Sequence, residues 1–185
     1  MELIALLRGI NVGKANRISM ADLRQLMVNL GYRDPRTLLQ SGNVVFEADG
    51  SSLSAAQRAT AAAAISSALA ARGVRSEVIL RTGRQLRAAI AADPIGPAQL
   101  AGYDPAKHLV GFLAAPPTAA AAAAIAAITL APDQITLNGE HVYLYYANGV
   151  LSSQLSKAGW EKALGTTVTA RNWNTVLKLA EIAGH

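Results

Sequence analysis

The sequence predicts an α+β protein built as two ferredoxin-like halves. Each half is a βαββαβ-type unit in a pseudo-duplication, with antiparallel or mixed sheets and a C-terminal helix. Three observations carry this expectation. Residues 2–80 read in the order strand, helix, strand, strand, helix, strand, the ferredoxin-like succession. The order begins again near residue 106. Two hairpins, over 38–46 and 135–143, stand at equivalent places in the two runs although their sequences share little.

Glu2 to Arg8 opens the first half as a compact apolar run, the pattern of a buried strand. Ser19-Met20-Ala21-Asp22 resembles a capping box, with Asp22 at the third helical position. Met20, Leu23, Leu26, Met27 and Leu30 then recur at helical spacing until Gly31 ends the helix. Asp34-Pro35 reads as a turn, after which Thr37–Gln40 and Val44–Glu47 form a hairpin across Ser41-Gly42-Asn43. An alanine-rich helix spans about 54–72, with Ile65 and Leu69 as its large apolar contacts and Gly73 at its end. Ser76–Leu80 reads as a strand and 83–92 as one further helix, stopped by Asp93-Pro94.

Residues 93–105 hold three of the seven prolines, two glycines and Tyr103, the composition of a connection. The predicted division is therefore a basic half over 1–92, a connection over 93–105 and an α+β half over 106–185. In the second half 107–114 reads as a strand and Thr118 caps an alanine-rich helix. Gln134–Leu137 and His141–Tyr146 pair across Asn138-Gly139, a strong hairpin signal. Leu151–Leu164 reads as helix, weakened at Gly159, and 172–183 as the terminal helix.

Composition narrows the function classes. The 185 residues are 51% hydrophobic and 16% charged, enough apolar content for a packed core and too little charge for disorder. No cysteine is present, which removes disulfides, thiolate metal sites and thiol nucleophiles. No segment reads as a signal peptide or a membrane span, so the expectation is a soluble, cytoplasmic protein with no membrane partner. Of 17 Lys and Arg, 12 fall in residues 1–92 beside 6 of the 12 Asp and Glu, so all of the net charge of +5 lies in the first half. Such asymmetry attracts phosphates, nucleic acid or an acidic partner, and it also occurs on solvated arginine-rich surfaces.

Four stretches are candidate sites. Arg8-Gly9-Ile10-Asn11-Val12-Gly13-Lys14 lies between a strand and a helix, where free backbone amides can hold an anion. It matches neither the triphosphate loop nor the dinucleotide glycine spacing. Its glycines also suit simple turns, with Asn11 tying the loop to itself. Ser41-Gly42-Asn43 is a hairpin turn that gains interest only beside the first loop. Arg171, Asn172 and Asn174 are placed at the start of the terminal helix, with Trp173 anchoring that helix in the core. Arg72, Arg75, Arg81, Arg84 and Arg87 have no aromatic residue interleaved and read as a solvated face. His108, His141 and His185 stand isolated, and no metal-ligand cluster or Ser/His/Asp spacing is present.

Leu6-Leu7-Arg8-Gly9-Ile10-Asn11-Val12-Gly13, Met20-Ala21-Asp22-Leu23-Arg24 and Gln40-Ser41-Gly42-Asn43-Val44-Val45-Phe46 occur in this order. Together with the closing Thr169-Ala170-Arg171-Asn172-Trp173-Asn174-Thr175, they resemble the bacterial family called domain of unknown function 1697. Lys14 stands where that family often has a second glycine. The resemblance implies two ferredoxin-like halves and an uncharacterised function, with no catalytic assignment to carry over.

The resulting expectation is a module that binds an anionic ligand, a nucleotide or a nucleic-acid backbone. Arg8, Asn11, Lys14, Ser41, Asn43, Arg171 and Asn172 are its candidate contacts, with no cofactor and no metal. An enzyme whose site assembles only in three dimensions, and a structural protein that forms a homodimer through open sheet edges, are the alternatives.

Overall fold

In a computed structural model, residues 1–13, 16–96 and 100–184 of the chain are described. Two compact units emerge: Met1–Leu86 with Leu179–His185, and Arg87–Lys178.

The first unit contains β1 (Glu2–Leu7), α1 (Met20–Asn29), β2 (Arg33–Leu38), β3 (Asn43–Glu47), α2 (Ala55–Ala70) and β4 (Val78–Arg81). Its four strands form one antiparallel sheet in the order β2-β3-β1-β4. Alternation along β1 sends Leu3, Ala5 and Leu7 to one face, where they pack with Phe46, Leu80, Leu23 and Met27 of α1, and Ile65 and Leu69 of α2. Burying each of these larger side chains is worth about 1.5–3 kcal/mol, so Ile65 and Leu69 dominate an otherwise alanine-lined α2. The helix starts in a full capping box, Ser54 Oγ accepting from Gln57 N and Ser54 N donating to Gln57 Oε1.

The second unit repeats the plan. It contains β5 (His108–Leu113), α4 (Ala119–Ala126), β6 (Gln134–Asn138), β7 (His141–Tyr145), α5 (Trp160–Leu164) and β8 (Val168–Asn172). The strand order β6-β7-β5-β8 is that of the first sheet, and every neighbour is again antiparallel. Leu113, Val142, Leu144 and Val168 form the apolar face against Ile125, Trp160 and Leu164. Two further helices follow the fourth strands, α3 (Gly83–Ala91) after β4 and α6 (Trp173–Ile182) after β8.

The duplicated α+β plan agrees with the sequence reading, and the halves do not share a sheet. Four elements differ from it. Asp34-Pro35 lies inside β2, which begins at Arg33, carries a register shift between Arg33 and Arg36, and ends at Leu38. The first hairpin therefore turns at residues 39–42, with Asn43 already in β3. The second turns at Gly139-Glu140, one residue later than expected, because Asn138 pairs with His141. The predicted helix over 151–164 is two short 3-10 turns and α5, broken at Gly159 (φ 68°). Arg171 and Asn172 close β8, a strand that the sequence reading missed, and β8 runs straight into α6, so Asn172 still stands directly before that helix with its Oδ1 accepting from Asn174 N–H. No helix among the described residues is long and apolar enough to cross a membrane.

Candidate functional sites

At the C-terminal end of β1 the first unit gathers three segments. The loop after Leu7 is tied to the β2–β3 turn by Leu7 N–H donating to Gly42 O (2.8 Å) and Asn11 Nδ2 donating to Gln40 O (2.9 Å). It is tied to the segment before β4 by Arg8 N–H donating to Glu77 O and by Asn16, which donates to Gly9 O and Arg75 O and accepts from Arg75 N–H. The Arg8 loop and the Ser41 turn, which the sequence alone does not bring together, are therefore neighbours.

Within it, the polar side chains serve the fold. Asn11, at φ 56°, donates to Ile18 O as well and accepts from Ile18 N–H, so its amide is fully committed to backbone. Asn43 is fully buried and donates to Leu38 O and Ser41 Oγ, pinning its own turn. Gly42 (φ 80°) lies so close to Leu7 and Ile10 that an added Cβ would meet their carbons at 2.8–2.9 Å.

The cations at this end are exposed. Arg8 Nη1 stands 3.5 Å from Glu77 Oε2, with both side chains partly in water, a pair worth less than about 1 kcal/mol. Arg17 donates to Gly13 O and Arg72 to Asp22 O, and the two guanidinium groups flank a cleft of about 310 Å³ lined also by Ile18, Ser19, Asp22 and Val74. Ser19 caps α1 by accepting from Asp22 N–H, and its hydroxyl donates to Asp22 Oδ2. Lys14, the remaining candidate from this loop, lies outside the described residues.

Arg171 and Asn172 belong to the second unit and do different work. Arg171 pairs with Val110 at the same register position at which Arg81 pairs with Ile4. Both arginines are buried, and each donates from Nη1 to the carbonyl of the preceding residue, Ala170 and Leu80. Arg171 also donates to Thr169 Oγ1, and burial lowers its guanidinium to about 10. Arg81 was expected on a solvated face; it fills an inward position of β4, whereas Arg72, Arg75, Arg84 and Arg87 are exposed.

Asn172 closes a second centre. Its Nδ2 donates to Pro105 O (3.1 Å), Ala106 O (2.9 Å) and His108 O (3.3 Å), and its Oδ1 accepts from Asn174 N–H. The next residue, Trp173, stacks on the His108 ring at 4.6 Å and 13°. His108 is fully buried. Its Nδ1 is 2.8 Å from Tyr103 Oη, and its Nε2 is 3.5 Å from Asp93 Oδ1, whose side chain is 6% exposed. Desolvation holds the imidazole below its ordinary value of 6.5 despite the nearby Asp93 carboxylate. Burial, aided by Asp93, raises Tyr103 to about 12 and Tyr143 still further. Sequence spacing gave no hint of this cluster, since Asp93, Tyr103 and His108 share no helical or strand period. The one legible signal was the Asn172-Trp173 pair, read for its helix rather than for what it covers.

Taken together, this is an α+β protein of two ferredoxin-like units, one with a cation-rich loop end and one with a buried aromatic–histidine centre. The chain belongs to a family described as a protein of unknown function, DUF1697, whose sequence model matches residues 1–143. A solved structure, that of the conserved bacterial protein SP0830 from Streptococcus pneumoniae, is similar in fold, with a TM-score of 0.67 and 22% identity. The similarity covers 99% of this chain and 98% of that one. Comparison with the curated proteins found no match.

Proposed function

We propose that the protein is a binding module for an anionic ligand, a nucleotide or nucleic-acid backbone, held at the loop end of the first unit. The observation that carries the reading is the pair of exposed guanidinium groups, Arg17 and Arg72, facing one cleft beside the start of α1. Arg8 adds to the positive field. Asn11 holds the loop that carries Arg8 and Arg17, and Ser41 and Asn43 hold the turn against which that loop lies. The reading draws on the first unit alone.

Titration with pyrophosphate, ATP and a single-stranded oligonucleotide at about 50 and about 200 mM salt tests it, because phosphate contacts made by cations weaken as counterions compete. Binding that falls with salt, and that drops tenfold or more in Arg17→Ala with Arg72→Ala, is the expected result; Arg8→Ala should weaken it less. Absence of binding at low salt, or binding indifferent to the double variant, sinks the reading.

A further inference from the structure

We infer that Tyr103, His108 and Asp93 form a catalytic relay in the second unit, in which Tyr103 Oη attacks a neutral acyl donor as its proton passes to His108. The inference is independent of the anion-binding reading, which concerns other residues in the other unit.

Geometry carries it. His108 Nε2 is buried, has no hydrogen-bond partner among the described residues and faces Asp93 Oδ1 at 3.5 Å. The carboxylate is itself oriented by accepting from Ile95 N–H (3.0 Å). A proton on Nε2 faces that carboxylate, which leaves Nδ1 as the acceptor for the Tyr103 hydroxyl. Tyr103 is half-buried, whereas His108 is fully buried and the Asp93 side chain is only 6% exposed. The order is nucleophile, base, orienting acid, the logic of a catalytic triad with a phenol in place of serine. Trp173 covers one face of the imidazole and Asn172 holds the backbone that leads into it, so its position is fixed from two sides. Tyr145 stacks on Tyr103 at 5.8 Å and accepts from Asp104 N–H, which fixes the phenol ring.

A free phenolate has no place here. Desolvation and the carboxylates of Asp93 and Asp104 keep Tyr103 protonated, so it can attack only as His108 removes its proton. The same two carboxylates disfavour an anionic substrate and favour a neutral acyl compound. In the step, the bond from Tyr103 Oη to the acyl carbon forms and the bond from that carbon to the leaving nitrogen or oxygen breaks. The tyrosine proton moves to His108 Nδ1 and then to the leaving group. Imidazolium forms transiently beside Asp93, where the carboxylate stabilises it.

N-acetylimidazole, a neutral acyl donor, is the probe, with acetylation of each tyrosine followed by mass spectrometry. The expected result is acetylation of Tyr103 about tenfold faster than that of Tyr32, with a rate that falls on acidification in step with protonation of His108 followed by NMR. Asp93→Asn should slow Tyr103 about tenfold and leave Tyr32 unchanged. Among the described residues the titratable groups facing His108 are Asp93, Tyr103 and Tyr143, so the profile follows the imidazole rather than another base. Should Asp93→Asn fail to fold by circular dichroism, the two pH profiles of the native protein decide the matter. Tyr103 reacting no faster than Tyr32, or at a rate indifferent to His108 protonation, overturns the relay.

Discussion

At the scale of single residues, the closest packing lies at two glycines. Gly42 combines a left-handed φ of 80° with carbons at 2.8–2.9 Å from where a Cβ would sit, and those carbons belong to β1 and its loop. Gly42→Ala should cost about 3 kcal/mol, read as a lower urea midpoint, because strain and overpacking add. Gly111, in the middle of β5, would place a Cβ 2.5 Å from Val142 Cγ1 and 2.9 Å from Val168 Cγ2. Gly111→Ala should therefore destabilise by about 1–3 kcal/mol in the same measurement. Leu39 is the complementary case, a bulky residue at φ 59° that is 59% exposed, so strain there is not offset by burial. Leu39→Gly should be neutral or stabilising in urea melts. The sequence marked Gly42 as a turn residue but not its contact with Leu7 and Ile10, since that approach exists only once β1 and β3 are paired.

Elements were legible where local signals and tertiary context agree. α1 and α2 carry their caps and stops in the sequence, and the two hairpins were found by alternation and glycine. β2 was displaced because Pro35 reads as a breaker; its place at the sheet edge is what admits a proline and a bulge. β8 was missed because Val168-Thr169-Ala170-Arg171-Asn172 has one large apolar residue and runs into α6 with no turn between. That same strand places Arg171 inside the second unit rather than at a helix end. On α2 the capping box makes a direct prediction. Ser54→Ala should lower stability by about 1 kcal/mol, seen in the urea midpoint, while Ser66→Ala, farther along the same helix, should have little effect.

For the molecule as a whole, pH should act through His108. Its folded value is depressed below 6.5, so between 6.5 and that lower value the unfolded chain binds more protons than the folded one. Stability is full above 6.5 and is lost as pH falls through the folded value. The melting temperature should drop between about pH 7 and pH 5, and His108→Gln should flatten that part of the curve. Replacement that leaves the slope unchanged would place the acid sensitivity elsewhere.

The first unit also has a history in time. Its sheet is complete by Arg81, yet it counts Leu179–His185 among its own residues, and Arg36 of β2 donates to Ile182 O. A ribosome making this chain N-terminus first delivers β1 to β4 early, then the whole second unit, and only afterwards the segment that finishes the first. The unit begun first is thus the one closed last, and a nascent chain stalled before Ile182 carries a formed sheet lacking its final contact.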